Sequence, residues 1–485
     1  MNYGEILMDS QLITTNTKKI IRRMKNKLFL IGLYCLIFTI KAYSATPVLH
    51  YTHFLKQVVA THPTIKSAKL YVQASNAAVL EARGAFDPFF SYESEKKQLN
   101  NQLYYNYQQT QLQIPIWNGI DVRAGMENAQ GLNTNPENTL GASSYVGIKI
   151  PIGADLLLDK RNLQVQQNQQ QIAISKAEQQ QVINELLADA QMAYVNWSRA
   201  YYQYQLFAKL SQQNKERVAF VITEYHQGLR PAIDTSEAVS QWQQVQLNET
   251  DAYFQFKAAT QLLENYVWNE TTTQNLALQD QIPDSSFFDT TPFTTTNDSL
   301  LLQQHPKVLQ YEGKLKQLQL EKTYKTQQLL PKAYLKANAL SKGYFDQVGL
   351  NSLPYQENYK LGFTLAVPLL QRSARGALLQ NKFKREATTF EKAIVQNQLF
   401  TKVQYYQTQL ENIRQQLQNT TALLKNFRKL YEAEQLRFQQ GESSVFLINS
   451  RELKIIEALQ KQLDLYYKWK QSTIQLALCN GTINA

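Results

Sequence analysis

The sequence predicts an α+β membrane protein in which a few strands per protomer close a shared β-barrel and long helical hairpins prolong it. Three observations carry this expectation. The N-terminus has the form of an export signal, and no later apolar run approaches about 18 residues, so helical membrane spans are excluded. Several strand-length pieces alternate apolar and polar residues. Two Gln-rich stretches of helical character are each broken once, by YHQGLRPAID at 225–234 and by FQQGESSVFL at 438–447. Glycine admits left-handed backbone and proline lacks an N–H, so both end helices.

Residues 1–44 read as a signal peptide. Arg22-Arg23-Met24-Lys25-Asn26-Lys27 is its basic region, Leu28 to Ile40 its apolar core, and Ala42-Tyr43-Ser44 a small-x-small site before Ala45. Met24 is an alternative start, and an uncleaved anchor the alternative fate. Cleavage removes seven basic and two acidic side chains, taking the net charge from +11 to +6. That excess is too small for a nucleic-acid footprint. Cys35 leaves with the leader, so Cys479 remains alone and no intramolecular disulfide is expected. Cys35 also lacks the sequence context of bacterial lipidation, so no lipid anchor is expected. An exported chain without apolar helices enters a membrane only as a closed barrel.

The strand pieces fit that requirement. In NYKLGFTLAVPLL, Tyr359, Leu361, Phe363, Leu365 and Val367 fall on one face, and Lys360, Gly362, Thr364 and Ala366 on the other. Tyr145 to Ile150 sets Val146, Ile148 and Ile150 against Gly147 and Lys149. Tyr334 to Leu340 alternates more weakly, because Lys336 and Asn338 share a face with Tyr334. Tyr104, Tyr105, Tyr107, Tyr355 and Tyr359 are candidates for an interfacial girdle. Four to six strands cannot close a barrel alone, since small barrels need about eight. Several protomers must contribute.

One plan occurs twice. His62-Pro63 recurs as His305-Pro306, Pro88 as Pro331, Pro151 as Pro368 and Gly228 as Gly441, in the same order. Repeat 1 is placed at 45–270, with strands about 88–151 and its tip at 226–233. Repeat 2 is placed at 301–485, with strands about 332–368 and its tip at 439–446. A Thr-rich linker, 271–300, joins them, and part of it is expected against the rods. The first copy is longer by 26 residues between Pro88 and Pro151. These suit either two further strands around the Trp117-Asn118-Gly119 turn or a long external loop. In the second copy Leu410, Ile413, Leu417, Leu424, Phe427 and Leu430-Tyr431 suit a narrow coiled-coil seam.

No catalytic chemistry stands out. The five histidines form no HxxxH or Cys/His set, so no metal or cofactor site is expected, and no nucleotide loop or nucleophile elbow is present. His62 and His305 precede prolines and read as structural starts of helices. The competing class is an exported coiled-coil scaffold or adhesin without a pore.

With these residues in view, the chain resembles the TolC family of bacterial outer-membrane efflux ducts over essentially the whole mature length. The two His-Pro starts, ARGAFDP at 82–88 with its LLP echo at 329–331, the strand-closing IPIG and VPLL, and the paired glycine tips carry the resemblance. It implies a homotrimer with one outer-membrane barrel, surrounded by outer-membrane lipid and continued by an α-helical barrel across the periplasm. It also implies a passive duct for tripartite efflux or type I secretion. A periplasmic adaptor protein would meet the tips, at Gly228, Leu229, Arg230, Gly441, Glu442 and Ser443, and an inner-membrane transporter would supply the energy.

The match departs from the family at the mouth. A Tyr and an Arg that flank the second tip glycine and lock the closed state are here Phe438 and Ser443. Asp234 keeps the carboxylate on the other side, and Tyr225 and Arg230 hold the equivalent offsets in the first copy, so the lock is read either as swapped between hairpins or as lost, with Arg230 solvated. Two constriction aspartates are replaced by Leu447 and Ser450. Val445-Phe446-Leu447-Ile448 reads either as an apolar constriction or as packing at the start of the next helix.

Overall fold

The computed structural model describes residues 47–131, 140–269, 277–278, 281–290, 303–343, 358–481 and 483. The leader with Cys35, most of the Thr-rich linker and Tyr355 lie outside the described residues. The chain opens with β1 (Val48–Leu49), α1 (Tyr51–Thr61) and α2 (Pro63–Arg83), then runs through β2 (Phe89–Leu99), β3 (Gln102–Pro115), β4 (Asp121–Gln130) and β5 (Gly141–Pro151). Two long helices follow, α3 (Lys160–His226) and α4 (Ala232–Glu264), and then β6 (Ile282–Pro283). The second half contains α5 (Pro306–Gln327), β7 (Lys332–Lys342), β8 (Tyr359–Ala366), α6 (Arg372–Gln439) and α7 (Val445–Asn480).

Strands β2-β3-β4-β5-β7-β8 form one six-stranded antiparallel sheet in that order. The 26-residue excess is therefore a hairpin rather than a loop. Asn118 and Gly119, at φ 58° and 72°, turn β3 into β4, and Ile116 N donates to Ile120 O at 2.7 Å. A second tight turn joins β2 to β3 at Asn100 and Asn101, φ 51° and 61°. Two successive left-handed residues match the twist of the flanking strands, and asparagine tolerates them best after glycine.

The pleat sorts the side chains. Phe90, Tyr92, Leu112, Ile114, Val146, Ile148, Leu335, Leu361, Phe363 and Leu365 share one face through their cross-strand pairs. Glu93, Gln109, Gln111, Arg123, Glu127, Lys149, Lys336 and Lys360 share the other. The apolar face is exposed, with Leu361 at 66 % and Phe363 at 63 %. Tyr107 does not belong to a lipid girdle. It lies on the polar face beside Glu95, and its hydroxyl donates to Gln109 Oε1 at 2.6 Å.

Among the described residues no helix is long and apolar enough to cross a membrane. Helices α3 and α6 have 67 and 68 residues. Each is about 100 Å long at about 1.5 Å rise per residue. Helix α3 packs on α2, α4, α5 and α7, while α6 packs on α5 and α7. Leu410, Ile413, Leu417 and Leu424 are buried as the seam requires, whereas Leu430 is 46 % exposed. Midway along the rods Phe54, Leu187, Tyr194, Trp197, Leu263 and Phe287 form the largest core. Phe287 brings the described part of the linker against the helices, and Asp284 fastens it by accepting from Tyr51 N at 3.0 Å and Tyr194 Oη at 3.2 Å.

Both His-Pro starts use one device. His62 Nδ1 accepts from Thr64 N and His305 Nδ1 from Lys307 N, each at 3.2 Å, with proline in the first turn. The imidazole replaces the usual Ser or Asp cap and satisfies one orphan N–H. Burial lowers both histidine pKa values below the ordinary imidazole range, since it disfavours the charged form. A depressed folded value means that the stabilisation is complete above the unfolded value of about 6.5 and drains away as pH falls through the folded one. The melting temperature of the purified protein should therefore fall between pH 7.5 and pH 5. His305→Asn, which retains a capping acceptor that does not titrate, should flatten part of that slope. An unchanged slope would remove His305 as a contributor.

Candidate functional site: the helical tips

The two hairpins end alike. At the first, Leu229 N donates to Glu224 O and Gly228 N to Tyr225 O, both at 2.9 Å. At the second, Glu442 N donates to Arg437 O at 2.9 Å and Gly441 N to Phe438 O at 3.2 Å. Gly228 and Gly441 adopt φ of 73° and 79°, the left-handed conformation that closes a helix over its last carbonyls. The chain then restarts at once, capped at the second tip by Ser444 Oγ, which accepts from Leu447 N at 3.4 Å.

Arg230 joins the tips. Its Nη2 donates to Phe438 O at 3.0 Å and its Nη1 to Ser443 O at 3.4 Å, both on the opposite hairpin. The guanidinium lies 3.8 Å from the centroid of the Phe438 ring, an arginine stacked on an aromatic face. On its own hairpin it pairs with Glu224 and, at 3.4 Å, with Asp234. The side chain is only 7 % exposed, so Arg230 is not a solvated tip residue. Phe438, where the sequence had lost a hydroxyl, serves through its ring and its carbonyl.

The other expected residues divide. Asp234 faces Arg230 within the first hairpin rather than the second. Tyr225 stays 41 % exposed and packs against His226, taking no part in the bridge. Val445 and Ile448 are buried with Val218, Val221 and Ala238, so these two members of the apolar run are packing. Phe446, Leu447 and Ser450 are exposed. Ser443 Oγ donates to Glu434 Oε1 at 2.6 Å, and this bond, with Arg437 and Arg451 nearby, holds the Glu434 carboxyl below its usual range.

Sequence reasoning missed a second bridge, further up the rods. Arg217 on α3 meets Glu452 on α7 through two bonds, Nη2 to Oε1 at 2.8 Å and Nη1 to Oε2 at 3.1 Å. It also donates to Asn449 Oδ1 at 2.9 Å and Tyr431 Oη at 3.0 Å, while Asn214 Nδ2 donates to Glu452 at 3.1 Å. Arg217 and Glu452 side chains are 10 % and 4 % exposed. Burial opposes the Arg217 charge, but the Glu452 carboxylate outweighs it and raises the guanidinium pKa. No local pattern could have found this pair, because its partners are 235 residues apart.

Among the described residues no group of His, Cys, Asp or Glu could hold a metal ion.

Removing one partner of a buried ion pair strands the other. Glu452→Gln or Arg217→Met alone should each lower the stability of the purified protein by about 3 kcal/mol or more. The double variant should lose less than the sum of the two in denaturant unfolding. Additive losses would mean that the pair is not coupled.

Scanned against protein-family models and against curated proteins, the sequence finds no match. Solved structures do match. The outer membrane channel CmeC of Campylobacter jejuni is 13 % identical, with a TM-score of 0.63, 89 % of this chain covered and 85 % of that one. The outer membrane protein VceC of Vibrio cholerae is 12 % identical, with a TM-score of 0.63 and coverage of 89 % and 95 %. The outer membrane channel MtrE of Neisseria gonorrhoeae, solved in an open state, is 13 % identical, with a TM-score of 0.61 and 88 % of each chain covered. The resemblance read from the sequence is met at the level of architecture: this chain has the fold of the TolC-family outer-membrane channels.

Proposed function

We propose that the chain is a passive exit duct of the bacterial outer membrane, working in tripartite efflux or type I secretion. Three copies would close one barrel, built from the same two-part plan in each copy, with the helical hairpins reaching across the periplasm. The observation that carries this reading is the open six-stranded sheet, apolar on one face and polar on the other, mounted on helices about 100 Å long. A non-conducting scaffold would have no use for such a sheet. The names of CmeC and MtrE, both called outer membrane channels, support the same reading.

Arithmetic favours eighteen strands over twelve. Eighteen strands about 4.8 Å apart and tilted by roughly 40° give a circumference of about 110 Å, against about 75 Å for twelve. Each copy brings four helices, α2, α3, α5 and α6, to the barrel junction. Twelve helices spaced about 9 to 10 Å apart also span about 110 Å. The wider barrel and the helical tube then match without a step.

The tips are the mouth in this account. Gly228, Leu229, Gly441 and Glu442 would meet a periplasmic adaptor, and an inner-membrane transporter would supply energy. Arg230 with Phe438, Ser443 and Asp234 would hold the two hairpins of one copy together; Tyr225, Leu447 and Ser450 would have no part in that hold. The duct needs no cofactor and performs no reaction. Purified protein in planar bilayers should show a small, mostly closed conductance. Arg230→Ala should raise the open probability severalfold, since it removes every cross-tip bond described here. A protein that never conducts, with or without Arg230, would overturn the duct reading.

A further inference from the structure

We infer that the wall formed by β5, β7 and β8 is a cationic stripe that draws negatively charged solutes along one sector of the lumen. The inference rests on the duct reading, which makes the polar face of the sheet the lumen.

Lys149, Lys336, Lys342 and Lys360 all lie on that face. Lys149 and Lys336 are direct cross-strand partners, Lys342 sits opposite Ser143, and Lys360 opposite Asn338. These three strands, GASSYVGIKIP, KAYLKANALSK and YKLGFTLA, contain no Asp or Glu at all. Two carboxylates of β4 border them in register, Asp121 opposite Lys149 and Glu127 opposite Ser143, to whose Oγ it is bonded at 2.9 Å. Asp121 is buried and committed to Arg161 at 3.1 Å. Lys149 instead lies 4.5 Å from the centroid of the Tyr334 ring.

Two like charges directly opposite each other in a sheet are destabilising. A lysine turned to lipid would cost about 2–4 kcal/mol at mid-membrane. The arrangement is tolerable on a water-filled lumen, where mobile anions can screen it. Carboxylates are confined to the other half of the sheet, as Glu93, Glu95, Asp121 and Glu127 on the same face of β2 and β4, where Lys97 and Arg123 partly offset them. The lumen of a trimer would thus alternate cationic sectors with sectors of mixed, weakly acidic charge. Rings and walls of one charge select the opposite ion. The cationic sector favours solutes bearing carboxylate, sulfate or phosphate groups.

The test is the reversal potential of the reconstituted full protein across a potassium chloride gradient, at low salt, where a Debye length of roughly 30 Å reaches across the lumen. The wild type should conduct along both sectors. Replacing Lys149, Lys336, Lys342 and Lys360 together by Gln should shift the chloride-to-potassium permeability ratio severalfold toward potassium. Replacing Glu93, Glu95 and Glu127 by Gln should shift it toward chloride. Lys336→Gln alone should move it in the same direction as the quadruple variant, by less, and serves if the quadruple variant fails to assemble. A conducting variant with unchanged reversal potential would overturn the stripe while leaving the duct intact. Absence of any conductance in the wild type would overturn the duct, and the stripe with it.

Discussion

A strand in hydrocarbon must have every backbone N–H and C=O bonded to protein, because an unpaired group there costs several kcal/mol. The sheet of one chain leaves two of its strands half-paired: β2 pairs only with β3, and β8 only with β7, among the described residues. With an exposed apolar face, such a sheet is stable in a membrane only when other copies complete its edges. In the duct proposed above the rest of the architecture would follow from that need. The strands would demand assembly, assembly would align the helices that carry them, and aligned helices would make a tube ending in a ring of tips.

Two bridges join the hairpins towards that end. Arg217 and Glu452 tie α3 to α7 deep within the helical packing, with three further polar partners, Asn214, Asn449 and Tyr431, around them. Arg230 ties the tips themselves with fewer bonds, two of them to backbone carbonyls. The deep pair is costly to break because both charges are dry. Arg230 is equally buried, at 7 % exposure, but its bonds to the other hairpin reach carbonyl oxygens and no opposite charge.

Much of this was legible in the sequence for a physical reason: strands, glycine tips and proline starts are local signals. The Tyr359 to Val367 alternation and the Asn118-Gly119 turn each need only a few adjacent residues. The Asn100-Asn101 turn carries a weaker form of the same signal, because it lacks the glycine. Other features were ambiguous from sequence. Lys336 and Asn338 weakened the reading of β7 until their register with Lys149 and Lys360 put all of them on one polar face. Tyr107 looked like an interfacial anchor because its type, and not its face, was visible. The Arg217–Glu452 bridge was not legible at all, since it depends on the superposition of two hairpins far apart in the chain. At the tips the sequence left Arg230 either bridging or solvated; its acceptors on the other hairpin are backbone carbonyls, which no side-chain pattern reveals.

The central claim is that several copies share one barrel, and electron microscopy of the detergent-purified protein, seen end-on and side-on, tests it most directly. The account predicts a three-fold hollow cylinder with a long stalk and a barrel about 36 Å across between opposite backbones, the width that eighteen strands give. A compact monomer or a solid rod would contradict it.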